Sequence, residues 1–265
     1  KKLIGIRKMF GQLYDAVKRE DEGSVRDLLK KATAREVNHQ DEVGRTALIV
    51  ACSEGSSKIV KMLLTHKDID PNVQCVLGCT ALIEACEKGH AVIVKMLMAH
   101  PCLLVNLSAR EGECALTKSA FWGHTRIVEI LLGHQDILVN QQTNGKRTAL
   151  YHACDMGNTK VVEALLVHQN IELNLQCKKD RATPLMKAAR GGYAKIVDLL
   201  LAHKGIAVNV QDKDNETALM KAACNGHIDI VESLLARPGI EINLKNKDGK
   251  TALDLTTKHK ISLML

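Results

Sequence analysis

Apolar residues in this chain fall into short clusters with a helical rhythm. Ile59-Val60 and Leu63-Leu64 are spaced by three and four residues, and Ile127-Val128 with Leu131-Leu132 and Ile196-Val197 with Leu200-Leu201 repeat the arrangement. That spacing gathers apolar side chains on one face of a helix. Ahead of each cluster stands a run of small residues, as in Ala47 to Cys52 behind Thr46. A hydroxyl at that place caps a helix N-terminus, and Pro184 after Thr183 suits a first helical turn. Each short first helix should stop at a glycine (Gly55, Gly89, Gly123, Gly157, Gly192, Gly226), where a left-handed residue closes a helix without Cβ strain. The second helix should end near His66, His100, His134, His168 or His203. Two residues further come Asp68, Cys102, Asp136, Asn170, Gly205 and Gly239, each followed by an apolar residue. This predicts a left-handed cap with its hydrophobic contact. A stretch rich in Gly, Asp and Asn then predicts a hairpin-like turn before the next Thr.

These signals share one clock. Thr-Ala-Leu and its near copies begin at Thr46, Thr80, Cys114, Thr148, Thr183, Thr217 and Thr251, at intervals of 34 residues with a single 35. Asn38, Asn72, Asn106, Asn140, Asn174, Asn209 and Asn243 keep the same time, as do the Gly and His series. Four residue types locked to one period define an internal repeat.

The repeat resembles the ankyrin family, whose unit is a β-turn and two helices carrying Thr-Pro-Leu-His-x-Ala. Thr183-Pro184-Leu185 matches its first three letters, and the other units read Thr-Ala-Leu-x-x-Ala. Gly89-His90, Gly123-His124 and Gly226-His227 supply a second shared dipeptide. Two departures stand out. The fourth letter is never His, and the extra residue of the 34-residue period falls between the second helix and the Asn. The resemblance implies an all-α repeat solenoid, with stacked helix-turn-helix repeats and short hairpin tips. Its expected organisation is one domain over 1–265. An N-terminal extension covers 1–11, a charged N-capping repeat 12–37, six internal repeats 38–242 and a truncated C-capping repeat 243–265. The terminal Leu-Met-Leu reads as a cut through a longer chain.

Composition narrows the picture. Aromatics make up 2% of the residues, so the core must rest on Ala, Leu, Ile, Val and Met, which suits thin helix-on-helix packing. The net charge of +7 permits an anionic partner without requiring one. Nine cysteines without a compact framework, and no signal or membrane-length apolar run, point to a reduced compartment. The cytoplasm is expected, with the nucleus as the alternative.

Enzyme signatures are absent: no Walker loop, no Gly-x-Ser-x-Gly, no His-Glu-x-x-His. No cofactor is expected. Periodic His residues could suggest a metal array. Neighbouring helices stand about 8–10 Å apart, too far for equivalent His residues to share an ion, so a structural role at the helix end is expected and no metal. The Asn series is read as satisfying its own turn. Cys52, Cys86 and Cys154 share a register with Ala120, Ala189 and Ala223 and read as small core fillers. Cys75 and Cys79 read as exposed free thiols.

A repeat array without a site of its own works by surface. The family resemblance implies contacts from the turn tips and from the two residues before the first-helix Gly. Of those pairs only Phe121-Trp122 is aromatic, and it holds the single Trp. Tyr151 and Met156 follow one repeat later, and the tip around Val76 and Leu77 is apolar where others are charged. Acidic residues gather in early units (Glu42, Glu54, Glu84, Glu87, Glu111, Glu113) and basic ones in later units. Arg147, Lys178, Lys179, Arg181, Lys187 and Arg190 are therefore expected beside the aromatic anchors. The expected function is a non-catalytic scaffold that binds a protein or peptide, with acidic character, on a concave face. The alternative is a nucleotide, oligonucleotide or other phosphorylated ligand, stacked on Phe121, Trp122 and Tyr151 and held by Lys and Arg.

Overall fold

The computed structural model describes residues 11–265, and among them the regular structure is helical, with one isolated bridge between Ser108 and Cys114. The extension expected at 1–11 lies outside the described residues except for Gly11. Contacts divide the chain into two compact units, Lys1–Ser119 with Arg126–Leu138, and Ala120–Thr125 with Val139–Leu265.

The first unit opens with Gln12–Lys18, Glu22–Leu29 and the single turn Ala34–Val37. Helix pairs follow, Ala47–Glu54 with Ser57–Leu64 and Ala81–Lys88 with Ala91–Met98. The start of Ala115–Phe121 and most of Thr125–Leu132 also belong here. The second unit holds Ala149–Met156 with Thr159–Leu166, Pro184–Gly191 with Ala194–Ala202, and Ala218–Asn225 with Ile228–Leu235. It ends in two single turns, Ala252–Leu255 and His259–Ser262.

The helix boundaries follow from local chemistry. Thr46, Thr80, Thr148, Thr183, Thr217 and Thr251 each accept the amide three residues on, which satisfies one free donor of the first turn. Cys114 has no hydroxyl. Thr117 Oγ1 takes its amide at 2.9 Å from inside the helix instead. Gly55, Gly89, Gly157, Gly192 and Gly226 close the first helices in the left-handed conformation.

The second helices supply most of the core bulk. Val60, Leu63, Val94, Leu97, Val128 and Leu131 are fully buried in the first unit, as are Val162, Leu165, Val197, Leu200, Val231 and Leu234 in the second. Each such burial is worth about 1.5–3 kcal/mol. The first helices pack through small residues, including Ala51, Cys52, Ala85 and Cys86, and Ala153, Cys154, Ala188 and Ala189.

Two expectations are corrected. Only Gly205 and Gly239 adopt positive φ after the second helix; Asp68, Cys102, Asp136 and Asn170 do not. At those four places the His Nδ1 accepts the amide two residues on, at 3.2–3.4 Å. With that donor satisfied, the turn needs no left-handed residue. The Asn side chains serve the following repeat rather than their own turn alone. Asn38 Nδ2 donates to Asp68 O at 2.7 Å while its Oδ1 accepts from Asp70 N at 2.9 Å, and Asn209 treats Gly239 and Glu241 the same way.

The tips are hairpin-like, with Asp41 N donating to Arg45 O at 2.9 Å and Cys75 N to Cys79 O at 3.0 Å. Their last corner is left-handed throughout. Gly44 takes it at φ +78°, where a Cβ would stand 2.8 Å from Val76 N. In the second unit Lys146, Arg181 and Asn215 hold the same corner at φ of 55–57°.

Candidate functional site

In each unit the seventh residue after a capping position meets the fourth residue of the next first helix. In the first unit Ser53 Oγ donates to Glu84 at 3.2 Å, and Glu87 pairs with Lys118 at 3.1 Å. In the second unit the Phe121 ring stands edge-on to His152, centroids 5.6 Å apart, and Asp155 pairs with Lys187 at 3.8 Å. The candidate surface is built around these rungs.

Phe121 is half-buried and holds the Trp122 ring edge-on at 5.2 Å and 84°. Trp122 is 54% exposed, and Met156, at the matching place one repeat on, is 46% exposed. In the first unit the tip residues Val76 and Leu77 are 49% and 64% exposed, and Val76 N donates to Val43 O at 2.9 Å. Val43 itself is half-exposed, so two successive tips present apolar side chains.

Tyr151 does not stand on the surface. It is only 2% exposed, because the fourth motif position points into the stack and carries core residues such as Ile49, Ile83, Met186 and Met220 in other repeats. Its phenol pKa is raised by burial and by a hydrogen bond with the Cys177 thiol. Lys187 is also turned inward. Its Nζ lies 3.2 Å from Asp180 and 5.5 Å from the Tyr151 ring centre, with the side chain 11% exposed. Arg147 is half-buried against the same ring at 5.8 Å. All three hold the second unit together, so the surface offered to a partner is smaller than the sequence suggests.

Asp180 is the hub of this inner network. Cys177 Sγ donates to its Oδ1 at 2.6 Å and Ala182 N donates at 3.2 Å. Burial pushes its carboxyl up, but the thiol, the amide and the Lys187 ammonium outweigh that and hold it at about 2. Lys221 repeats the device one repeat on, taking Asp212 at 2.8 Å and also Glu216. Lys118 does so in the first unit with Glu113 at 2.8 Å. Sequence reasoning missed this role. The signal was available: Lys118, Lys187 and Lys221 share one register, and each follows an acidic tip.

Lys178, Lys179, Arg181 and Arg190 remain exposed. Cys52, Cys86 and Cys154 are fully buried as core fillers. Cys75 and Cys79 are half-buried rather than exposed, and burial with the Glu84 charge pushes the Cys79 thiol up to about 12. Among the described residues no three His, Cys, Asp or Glu side chains converge on a point that could hold a metal ion.

Comparisons with known proteins accord with this geometry. A family model described as ankyrin repeats, in three copies, matches residues 13–103, 101–177 and 166–246. No curated protein matches the sequence. Among solved structures, the chain is similar to the human ASB11 ankyrin repeat domain, at 24% identity and a TM-score of 0.70, covering 83% of this chain and 98% of that one. It is also similar to the ankyrin repeat domain of Bcl-3, of the IkappaB protein family, at 23% identity and a TM-score of 0.71, covering 83% and 97%. At that identity the two structures speak for the fold.

Proposed function

The chain belongs to the ankyrin-repeat family, and from that premise we propose that it binds a protein segment through the second unit, with Trp122 and Met156 as apolar anchors. The family is generally a protein-interaction module and typically a non-enzymatic scaffold. The observation that carries the reading is the Phe121–Trp122 pair. The one indole in the chain is left half in solvent, with its orientation fixed by a ring behind it. Such an anchor binds with little ordering cost, and Trp is enriched among residues that dominate interface energies.

Arg190, at the register of Phe121 and Asp155, and the tip residues Lys178, Lys179 and Arg181 meet acidic side chains of the partner. Val76 and Leu77 offer a second apolar contact in the first unit. The phosphate-ligand alternative loses support here, since Tyr151 and Lys187 are committed inside the fold. Free thiols at all nine cysteines suit a reducing compartment, and we place the protein in the cytoplasm or nucleus. Among the described residues no helix is long and apolar enough to cross a membrane.

The test is capture of partners from a lysate by wild type and by Trp122→Ala, followed by titration of each captured partner into the pure protein. Blue-shifted indole emission on binding, and loss of capture by the variant, are expected. Capture unaffected by Trp122→Ala overturns the anchor assignment.

A further inference from the structure

The tips of the second unit carry cations that the chain does not neutralise. On two of these tips the helix behind draws carboxylates inward. Lys187 takes Asp180 at 3.2 Å, and Lys221 takes Asp212 at 2.8 Å together with Glu216. Lys178, Lys179 and Lys213 are exposed and form no ion pair among the described residues. Arg181 is exposed too, its guanidinium only grazing Gln176 at 3.4 Å.

Backbone bonds set these cations in order. Lys178 N donates to Gly145 O at 2.8 Å, Lys213 N to Asp180 O at 2.8 Å, and Lys247 N to Asp214 O at 3.0 Å. One place on three successive tips is thus a lysine; of the three, Lys247 has a carboxylate of its own, Asp214 at 3.7 Å, and Lys178 and Lys213 have none. Repeats stack at the helix-packing distance, about 8–10 Å, so equivalent tip positions recur at about that interval. Arg181 stands on the same tip as Lys178 and Lys179, at φ +55°, as Lys146 and Asn215 do at the matching corners of their tips.

We propose that this row receives an extended acidic segment of a partner protein, with its carboxylates spaced about three residues apart. An extended chain in the polyproline II conformation has three residues per turn and advances about 3.1 Å per residue, so every third side chain returns to the same face and reaches the next tip. The proposal rests on the protein-binding reading above and adds where the partner's acidic part lies and in what register. A nucleic acid fits less well. Asp214 and Asp248 stand exposed beside the lysines and would face a continuous run of phosphates. The tip segments 140–147, 174–182, 209–216 and 243–250 also contain no aromatic residue on which bases could stack.

Fluorescence anisotropy with short labelled peptides of identical composition tests the register. One carries Glu at every third position and the other carries the same Glu residues in a block. The spaced peptide should bind about tenfold tighter at physiological salt. Lys178→Glu with Lys213→Glu should erase the preference, and Lys178→Ala with Lys213→Ala should weaken it, both with unchanged circular dichroism. Trp122→Ala should leave it intact, which separates a failure of this proposal from a failure of the anchor assignment. Equal binding of the two peptides overturns the proposal, as does a single-stranded oligonucleotide of equal charge displacing the spaced peptide.

Discussion

The Phe121 ring meets His152 of the next repeat at 5.6 Å and 80°, in the register where Asp155 meets Lys187. The second unit thus uses one geometric rung for two kinds of contact, ring on ring and carboxylate on ammonium. The rung explains why Trp122 is held and yet exposed. Phe121 is fixed from behind by His152, and His152 in turn stands edge-on to the buried Tyr151 ring at 6.0 Å. A chain of rings anchors the indole to the core without burying it.

Lys187 should matter more to stability than to binding. Lys187→Met leaves Asp180 and Asp155 without their shared cation in a partly buried setting. Urea denaturation should show a loss of about 1–3 kcal/mol, discounted from the buried-pair value because both carboxylates retain solvent. The pH dependence has a definite sign. Asp180, held at about 2 in the fold, lies below its ordinary value of 3.8. Its contribution is therefore complete above that value and is lost as pH falls toward 2, at about 1 kcal/mol after solvent screening. Asp180→Asn should flatten the acid limb of the stability curve in that window.

Overpacking should separate the first-helix interface from the surface. Ala153 is fully buried, so Ala153→Leu should cost about 1–3 kcal/mol. Trp122→Ala should stay within about 0.5 kcal/mol in the same assay while costing a partner about 2 kcal/mol of binding if the indole is a hot spot. A large loss of stability on removing Trp122 would mean the ring is packing rather than contact.

The caps and the core were legible in the sequence because they act over three or four residues. A Thr hydroxyl needs only the amide three residues on, and Leu63 lies under Ile59 by helix geometry alone. Tyr151 and Lys187 were not legible in the same way. The direction of Tyr151 depends on Cys177, which the next tip places against it, and that of Lys187 on a tip that folds back to bring Asp180 within 3.2 Å of its ammonium. The His series misled for a related reason. Its Nδ1 satisfies a turn amide, so Asp68 and Asn170 never need the left-handed conformation their residue types allow.

Thiol reactivity should follow exposure. Cys102 and Cys224 are exposed, while Cys52, Cys86, Cys114, Cys154 and Cys177 are buried. Alkylation of the native protein, mapped by mass spectrometry, should label Cys102 and Cys224 first. Cys79 should lag at neutral pH because its thiol is held near 12 and only the thiolate attacks. Early labelling of Cys154 would place the first-helix stack in the wrong register.

Arg181→Gly sets stability against binding at one residue. Arg181 sits at φ +55°, where a Cβ costs about 1–2 kcal/mol. Glycine removes that strain but adds unfolded-state entropy of about 0.5–1 kcal/mol. The net change should be a gain of up to about 1 kcal/mol, read as a higher urea midpoint at unchanged slope. The guanidinium makes only a long contact with Gln176, so little is lost from the fold. Binding of the spaced acidic peptide should weaken in the same variant, and its salt dependence should shrink, because one exposed cation has gone from the row. Arg181→Lys should keep both the strain and the binding. A glycine variant that is more stable and binds as well as wild type would mean that the left-handed arginine serves no partner, and that the lysines alone make the row.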